Sequence, residues 1–565
     1  MTDSNKSVNM SKVLPEETSD VEKYSSDSVT SKNEAADDDS KFPTGIALWS
    51  ILGPVTIAYF LVFLDMCVVS TATPAITERF NSLVDVGWYG GAYQLGSSAL
   101  QPLTGKIYSH FNVKWSFLVF FFIFELGSVI YRAAVSSPMF IVGRAIAGAG
   151  SSGIGNGALT IISTILPPRK QAQFLGINLG IGQLGIALGP IISGAFTQNV
   201  TWRFYINLPI GGALAILLLL FKIPEPTTKL PPRQVLSTAV KSLDLPGFML
   251  ISPAAVMFLL ALQYGGTVYP WNSSVVIGLL VGATVTFILF LVWEYHQGDG
   301  AMVPFSMIRK CIVWSAAGNL FFLLGAVLVA EYYLAIYFQT VLDNRPIVSG
   351  VHLLPATLGL ALFTMVSGMM IEIFGYYLPW NLGGSALAAI GYGLMSMIKP
   401  TTSSSKWIGY QVLYGVGSGA MTSALSKILS RPRRSLLPWA IIIFCQNMGG
   451  AVFLIAANSV FTNGLRKELQ KHIGEIGVSP DIILGTGLSS IRSFVSGDKL
   501  TVALKCYTTA ISHVMYLGIG VSVATFAFGW GLGWVDIRKV KQLQAIQAPN
   551  TKENVDSTTE KSITA

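Results

Sequence analysis

The sequence predicts an all-α polytopic membrane protein, and three observations predict it. Only 12% of the 565 residues are charged and 52% are hydrophobic, against a usual charged share of about 25%. Apolar runs of about twenty residues, the length that crosses a bilayer, recur throughout, for example over 275–293, 316–338 and 436–460. The remaining charge lies mostly between those runs. A spanning barrel would need alternating segments of about ten residues, and the chain has none.

In chain order, the first 42 residues are polar and carry the run Asp37-Asp38-Asp39. Such a composition cannot bury enough surface to fold, so residues 1–42 are expected to be a disordered tail. The tail has no basic stretch followed by a short apolar one, so the first spanning helix is expected to direct insertion. About fourteen helices follow by the twenty-residue rule, over 46–74, 86–105, 114–134, 139–166, 173–197, 204–222, 247–264, 275–295, 313–341, 351–373, 378–398, 407–427, 437–461 and 511–534. A second disordered tail is expected over 536–565.

With the N-terminus in the cytosol, the loops on that side hold Lys106, Lys114, Arg169, Lys170, Lys222, Lys229, Arg233, Lys241, Arg309, Lys310, Lys427, Arg431, Arg433 and Arg434. The opposite short loops hold little beyond Arg79, Arg132, Arg203, Arg345, Lys399 and Lys406. The positive-inside rule then places both termini in the cytosol. The connection 462–510 carries six basic residues but is long enough to escape the rule, and an external position is expected for it. The formal charge of +8 is spread over the loops, so it reads as topology and not as nucleic-acid binding.

Several motifs have a plain structural reading. Gly148-Ala-Gly-Ser-Ser-Gly153 and Gly180-Ile-Gly-Gln-Leu-Gly185 both match the dinucleotide pattern G-x-G-x-x-G, yet each lies inside an apolar helix. Glycines that let two membrane helices approach are the better account. The chain lacks a Walker A sequence, so energy is expected from the proton gradient and from no bound cofactor. Asn199 and Asn272 head N-x-S/T sequons close to membrane boundaries, and unmodified loop asparagines are expected there. Cys67, Cys311 and Cys445 lie in or beside apolar segments and Cys506 in a polar region, so neither a disulfide framework nor a metal site is expected.

Ionisable residues inside a span are costly and by default functional. The candidates are Asp65, Glu125, Arg144 and Glu331; Glu294 and Glu372 fall near span ends and read as solvated helix termini. Asp65 lies deep in "FLVFLDMCVVSTATPAI", where a carboxylate could exchange a proton; a fixed pair with Arg144 is the structural alternative. Glu331 is the second candidate for proton coupling.

At these residues the chain resembles a known family. Leu64-Asp65 continuing through Val69, Ala72, Pro74 and Ile76 resembles the first-helix motif of fourteen-helix drug:proton antiporters of the major facilitator superfamily. "IVGRAIAGAG" is similar to that superfamily's fourth-helix motif, with Arg144 in the arginine position, and "GIALGPIISG" to the fifth-helix antiporter motif G-x-x-x-G-P-x-x-G-G. "WRFYINLPIGG", "YYLAIYFQTVL", "SGVHLLPATLG" and "FCQNMGGAVF" resemble the fungal branch that exports mycotoxins and other drugs. The likeness spans about residues 43–540. The chain departs from the pattern at "GKIYSHFNVK", where Ser109 and His110 replace an Asp-Arg pair, at Ser193 in place of a glycine, at "WRFYINLP", two residues short, and at "LSKILSRPRRS", which lacks the Gln-rich pattern expected there.

The resemblance implies a major facilitator fold: six-helix bundles over 43–222 and 311–535, joined by a basic linker and two inserted helices over 223–310. It implies alternating access at the bundle interface, and a monomer in the plasma membrane that exports a hydrophobic small molecule against protons, with Asp65, Arg144, Glu125 and Glu331 in proton coupling. Gly185, Gly189, Pro190, Ser193 and Gly194 would form the antiporter-motif helix, its glycines packing on the opposite bundle and Pro190 bending it. Tyr93, Gln94, Tyr332, Tyr333, Tyr337, Gln446 and Asn447 combine aromatic surface with polar handles and are the candidate substrate-cavity set. A proton-coupled importer of siderophore type and a membrane sensor are the rival readings.

Overall fold

A computed structural model of the protein describes residues 43, 45–199, 207–221, 223, 243–298, 301, 311–429, 436–485 and 491–539. The N-terminal tail, residues 540–565 of the C-terminal one, most of the basic linker with Lys229, Arg233 and Lys241, the residues Trp202 to Ile206 of the shortened motif, and the Arg431, Arg433 and Arg434 cluster lie outside the described residues. Asp536 and Ile537, expected in the tail, instead contact Tyr376 and Gly375.

Among the described residues fourteen helices of 14 residues or more follow one another: α1 (Gly45–Phe80), α2 (Val86–His110), α3 (Val113–Arg132), α4 (Ser137–Ile165), α5 (Pro168–Asn199), α6 (Asn207–Leu220), α7 (Leu245–Tyr264), α8 (Ser274–Gln297), α9 (Cys311–Ile336), α10, α11 (Leu378–Met395), α12 (Ser404–Leu429), α13 (Leu436–Lys471) and α14 (Asp498–Gly529). The helix α10 is built of Pro346–His352 and Leu354–Phe374, and α9 runs on into a π-helical turn, Tyr337–Val341. Local chemistry sets several starts: Asn112 accepts from Trp115 N at 3.0 Å, Ser273 from Val276 N at 3.3 Å and Asp244 from Gly247 N at 3.2 Å, each satisfying an otherwise orphaned donor. Asn272 lies exposed in the turn before that Ser273 cap, and Asn199 is the last residue of α5.

The connection expected over 462–510 is much shorter, because α13 continues to Lys471 and α14 begins at Asp498. Phe461, Leu465 and Leu469 are buried at a spacing of four, and Ala503, Cys506, Tyr507 and Ala510 at the helical offsets of three and four. Both helices thus carry an apolar stripe in stretches where average hydropathy is low but periodicity persists. Cys506 is accordingly a buried helix residue and not part of a polar loop. Three short helical turns, Ile473–Ile476, Pro480–Gly485 and Ile491–Phe494, fill the remaining connection, and Arg492 in the last pairs with Asp343 at 3.1 Å just past the end of the π turn.

Helices α1 to α6 form one bundle and α9 to α14 the other. Glycines fix the closest crossings. A Cβ on Gly148 would lie 1.9 Å from the Tyr93 carbonyl oxygen, and one on Gly96 2.0 Å from that of Ala145, so α2 and α4 meet backbone to backbone. A Cβ on Gly150 or Gly153 would come about as close to α3, at 2.3 Å from Phe124 N and 1.9 Å from the Phe120 ring, whereas one on Gly182 or Gly185 would lie 2.8 Å from α1, and Gly180 faces open space. The G-x-G-x-x-G sequences are therefore packing surfaces.

The inserted pair α7 and α8 lies against the seam between the bundles. Leu259 and Ala255 of α7 pack with Trp88, Ala92 and Leu95 of α2 and with Ala451 and Ile455 of α13. Most of α8 presents exposed Val, Ile, Leu and Phe side chains, as a helix facing lipid should. One end of the pair is held by charge: Asp244 accepts from Trp293 Nε1 at 2.6 Å, and Lys106 of α2 interacts with both Asp244 and Glu294. Glu294 is 1% exposed, which corrects its reading as a solvated terminus. Asp244 also has φ of 50°, a left-handed conformation that asparagine tolerates and alanine resists. Asp244→Asn keeps the cap and the backbone conformation but removes the charge facing Lys106, so it should lower thermal stability by less than Asp244→Ala. Asp244→Ala should lose about 1–2 kcal/mol through the cap and the strained backbone, read as a lower melting temperature of the detergent-solubilised protein.

Candidate functional site: a buried charge cluster and the bundle seam

Asp65 sits at the middle of α1 with no exposed surface. Its Oδ1 accepts from Tyr131 OH at 2.5 Å, Arg132 Nη2 at 3.2 Å and Asn207 Nδ2 at 2.9 Å, and its Oδ2 from Arg144 Nη1 at 2.8 Å. Arg144, likewise buried, also donates to the Tyr89 carbonyl at 3.0 Å and lies 4.3 Å above the Tyr93 ring. Four helices thus converge on one carboxylate, with two guanidinium groups against it. Such a group survives in an apolar interior only when every partner is in place.

Arg132 belongs to this cluster and not to the short loop expected for it, being the fully buried last residue of α3. Tyr131 and Asn207 also escaped the sequence reading. A signal existed for Arg132: Glu125 precedes it by seven residues, two helical turns, and so shares its face of α3. The Glu125 carboxylate packs on Gly211 of α6, and among the described residues neither of its oxygens has a hydrogen-bond partner.

Glu331, on α9 in the other bundle, stands in a different environment. It is 5% exposed, and among the described residues neither carboxylate oxygen lies in hydrogen-bonding geometry. The Cys67 thiol of α1 is its polar neighbour across the seam. A cavity of about 10 Å³ opens beside it, lined by Val327, Leu334, Leu353, Ala356, Thr357 and Tyr414.

The face of the membrane region at which α1 begins and α14 ends is termed here the terminal face, the other the far face. At the far face the bundles are in contact. A Cβ on Gly194 would lie 2.4 Å from the Pro346 carbonyl, and one on Gly350 2.5 Å from that of Pro190, so α5 and α10 touch through backbone. Gln339 Nε2 donates to the Thr71 carbonyl at 2.9 Å, and Asn458 Nδ2 to that of Val84 at 2.6 Å. At mid-depth Asn447 Nδ2 donates to Ser97 Oγ at 2.9 Å. Towards the terminal face, α1 and α5 part to leave an apolar crevice of about 250 Å³ walled by Trp49, Phe60, Phe174, Ile177 and Ile181.

The antiporter-motif residues divide between two surfaces. Gly185 and Gly189 pack on Phe60, Leu64 and Cys67 of α1, their own bundle, which corrects the expectation that they meet the opposite one. Gly194 and the Pro190 carbonyl make the contact across the seam, and Ser193 is buried. The helix α5 continues through Pro190, whose carbonyl accepts from Thr71 Oγ1 at 3.0 Å.

The cavity set divides as well. Gln94, Tyr332 and Asn447 stand at the seam, with Gln94 against Gly450 and Tyr332 against Gly90, and Gln446 is a half-buried neighbour of Asn447 on α13. Tyr93 donates to the Val62 carbonyl at 3.1 Å, Tyr337 to that of Lys399 at 2.9 Å, and the Tyr333 ring packs 5.4 Å from that of Phe461. Those three sit inside single bundles.

Comparison with known proteins places this architecture. A family model described as Major Facilitator Superfamily matches residues 55–454. The "MFS-type transporter pigP" of Monascus ruber is 48% identical over 509 residues, covering 89% of this chain and 88% of its own. The "Efflux pump mlcE" of Penicillium citrinum is 43% identical over 551 residues, covering 95% and 99%. A crystal structure of a bacterial homologue of the human lysosomal transporter Spinster, inward-facing and unoccupied, aligns with a TM-score of 0.59 at 13% identity over 87% of this chain and 98% of its own, a likeness of fold alone.

Proposed function

The chain belongs to the major facilitator superfamily, and from that premise we propose that it exports a hydrophobic small molecule, a toxin, secondary metabolite or drug, in exchange for protons. The observation that carries this reading is the presence of three acids, Asp65, Glu125 and Glu331, inside the membrane region of a chain 43% identical to a named efflux pump. Buried ionisable groups of that kind mark ion pathways. In this reading the terminal face is cytosolic and the membrane is the plasma membrane. The structure is then the state closed on the external side, and the apolar crevice between α1 and α5 suits a substrate arriving from the inner leaflet.

Net movement of one charge across 100 mV supplies about 2.3 kcal/mol, enough to hold a substrate gradient of roughly fifty-fold. In energised secretory vesicles, accumulation of a fluorescent apolar dye should stop when a protonophore is added and should not need ATP. Accumulation that continues with ATP alone would exclude proton coupling. Uptake into intact cells in place of efflux would make the chain an importer.

A further inference from the structure

We propose that Glu331 is the acid that exchanges a proton with water during the transport cycle, through one water molecule held between it and Tyr414, and that Asp65 is a fixed ionic anchor. The inference rests on the proton-coupled reading and names the group responsible.

The two acids differ in what surrounds them. Asp65 accepts four hydrogen bonds, two of them from guanidinium groups. Its carboxylate is the counter-charge of two buried guanidinium groups, and those contacts hold it in place. Glu331 has no such constraint. The titratable groups facing it are the Cys67 thiol from α1, the Tyr332 phenol of its own helix, the Tyr392 phenol from α11 and the Tyr414 phenol from α12, while α10 offers Leu353, Ala356, Thr357 and Leu360. Among the described residues none of the Lys, Arg or His side chains forms an ion pair with it.

The cavity beside Glu331, about 10 Å³, is at the lower limit of what one water occupies, and its walls are apolar apart from Glu331, Thr357 and Tyr414. Polar atoms for that water are at hand. They are the two Glu331 oxygens and Tyr414 OH, which line the cavity and make no hydrogen bond of good geometry; the buried, likewise unbonded Gln411 amide and Ser418 hydroxyl lie along the same helix as Tyr414 and not in the cavity wall. Residues 411, 414 and 418 recur at helical spacing, so α12 presents one polar stripe inside an apolar bundle. Buried polar groups left unbonded imply a missing partner, and water or a proton supplies it. A hydronium ion reaching the cavity would give its proton to one Glu331 oxygen and remain as water, and release would reverse the step.

The position also ties that exchange to movement. Cys67 touches Glu331 on one side and Gly189 of the antiporter motif on the other, where a Cβ would stand 3.1 Å from the Cys67 Cβ. An ionised Glu331 favours parting of α1 and α9, which would admit water; a neutral one permits apolar closure.

Infrared pH titration of the purified full-length protein tests the assignment without requiring the substrate. The expected result is a carboxylic-acid C=O stretch that titrates in the wild type, is lost in Glu331→Gln, is retained at a shifted frequency in Glu331→Asp, and persists in Asp65→Asn and Glu125→Gln. Circular dichroism and size-exclusion profiles establish that each variant is folded; should Asp65→Asn not fold, the Glu331 and Glu125 variants decide alone. A titrating band that survives in Glu331→Gln, or one that vanishes in Asp65→Asn or Glu125→Gln instead, overturns the proposal. Dye accumulation that resists a protonophore while the Glu331 band titrates would reject proton coupling and leave the identity of the titrating acid standing.

Discussion

Asp65→Ala is expected to destabilise the N-terminal bundle by about 3–5 kcal/mol, the usual cost of removing one partner from a buried ion cluster. The reason lies in what remains. Arg132 and Arg144 would keep their positive charges in an interior with no exposure at either side chain and would lose the carboxylate that each approaches within 3.2 Å. Asp65→Asn preserves the shape but not the charge, so it should also lower the melting temperature, by less. A neutralising second change, Arg144→Gln on the Asp65→Asn background, should recover part of the loss, since replacing a whole ion pair is far milder than breaking one. Thermal unfolding followed by size exclusion, beside the amount of protein at the membrane, measures each step. Wild-type stability in Asp65→Asn would show that the cluster is not the anchor its geometry indicates.

Substitutions at the seam should behave in the opposite way, impairing transport while sparing the fold. Gly194 and Gly350 meet across the far face, and a valine at either would collide with backbone of the other bundle at 2.4 or 2.5 Å. Backbone cannot move aside within a rigid bundle, but the two bundles can separate, so Gly194→Val and Gly350→Val should favour the state with the far face open. Cys67 provides the reporter: it is buried at the seam here and becomes accessible when the bundles part. In a background with Cys311, Cys445 and Cys506 changed to serine, maleimide should label Cys67 about tenfold faster in either valine variant, the effect of a population shift of about 1.4 kcal/mol, with transport lost. Gly148→Val is the contrast. Its clash lies 1.9 Å from the Tyr93 carbonyl within one bundle, so relief would require α2 and α4 to separate. That overpacking should cost about 1–3 kcal/mol or more and reduce the folded yield. Equal labelling rates in wild type and Gly194→Val would remove the case that this contact controls access.

The amino-acid sequence by itself determined the class, the order of the long helices among the described residues, and two of the buried acids, Asp65 and Glu331. Those follow from local properties: twenty-residue apolar runs can be satisfied in a bilayer only as helices, and an acid within such a run is visible wherever it packs. Hydropathy failed where periodicity replaced it, at Phe461, Leu465 and Leu469 and again at Cys506 and Tyr507, because a helix packed on one side needs only one apolar stripe. Tertiary structure alone decided which charges meet. Arg132 reads in sequence as the basic end of a span, and only the crossing of α3 with α1 brings it to Asp65. Lys106 and Glu294 read as solvated ends until α2 and α8 bring them together with Asp244. The antiporter motif shows the same limit. Its glycines announce close packing, but whether Gly189 faces α1 and Gly194 faces α10 depends on the rotation of α5 about its own axis, and that rotation is fixed by the partners on both sides at once.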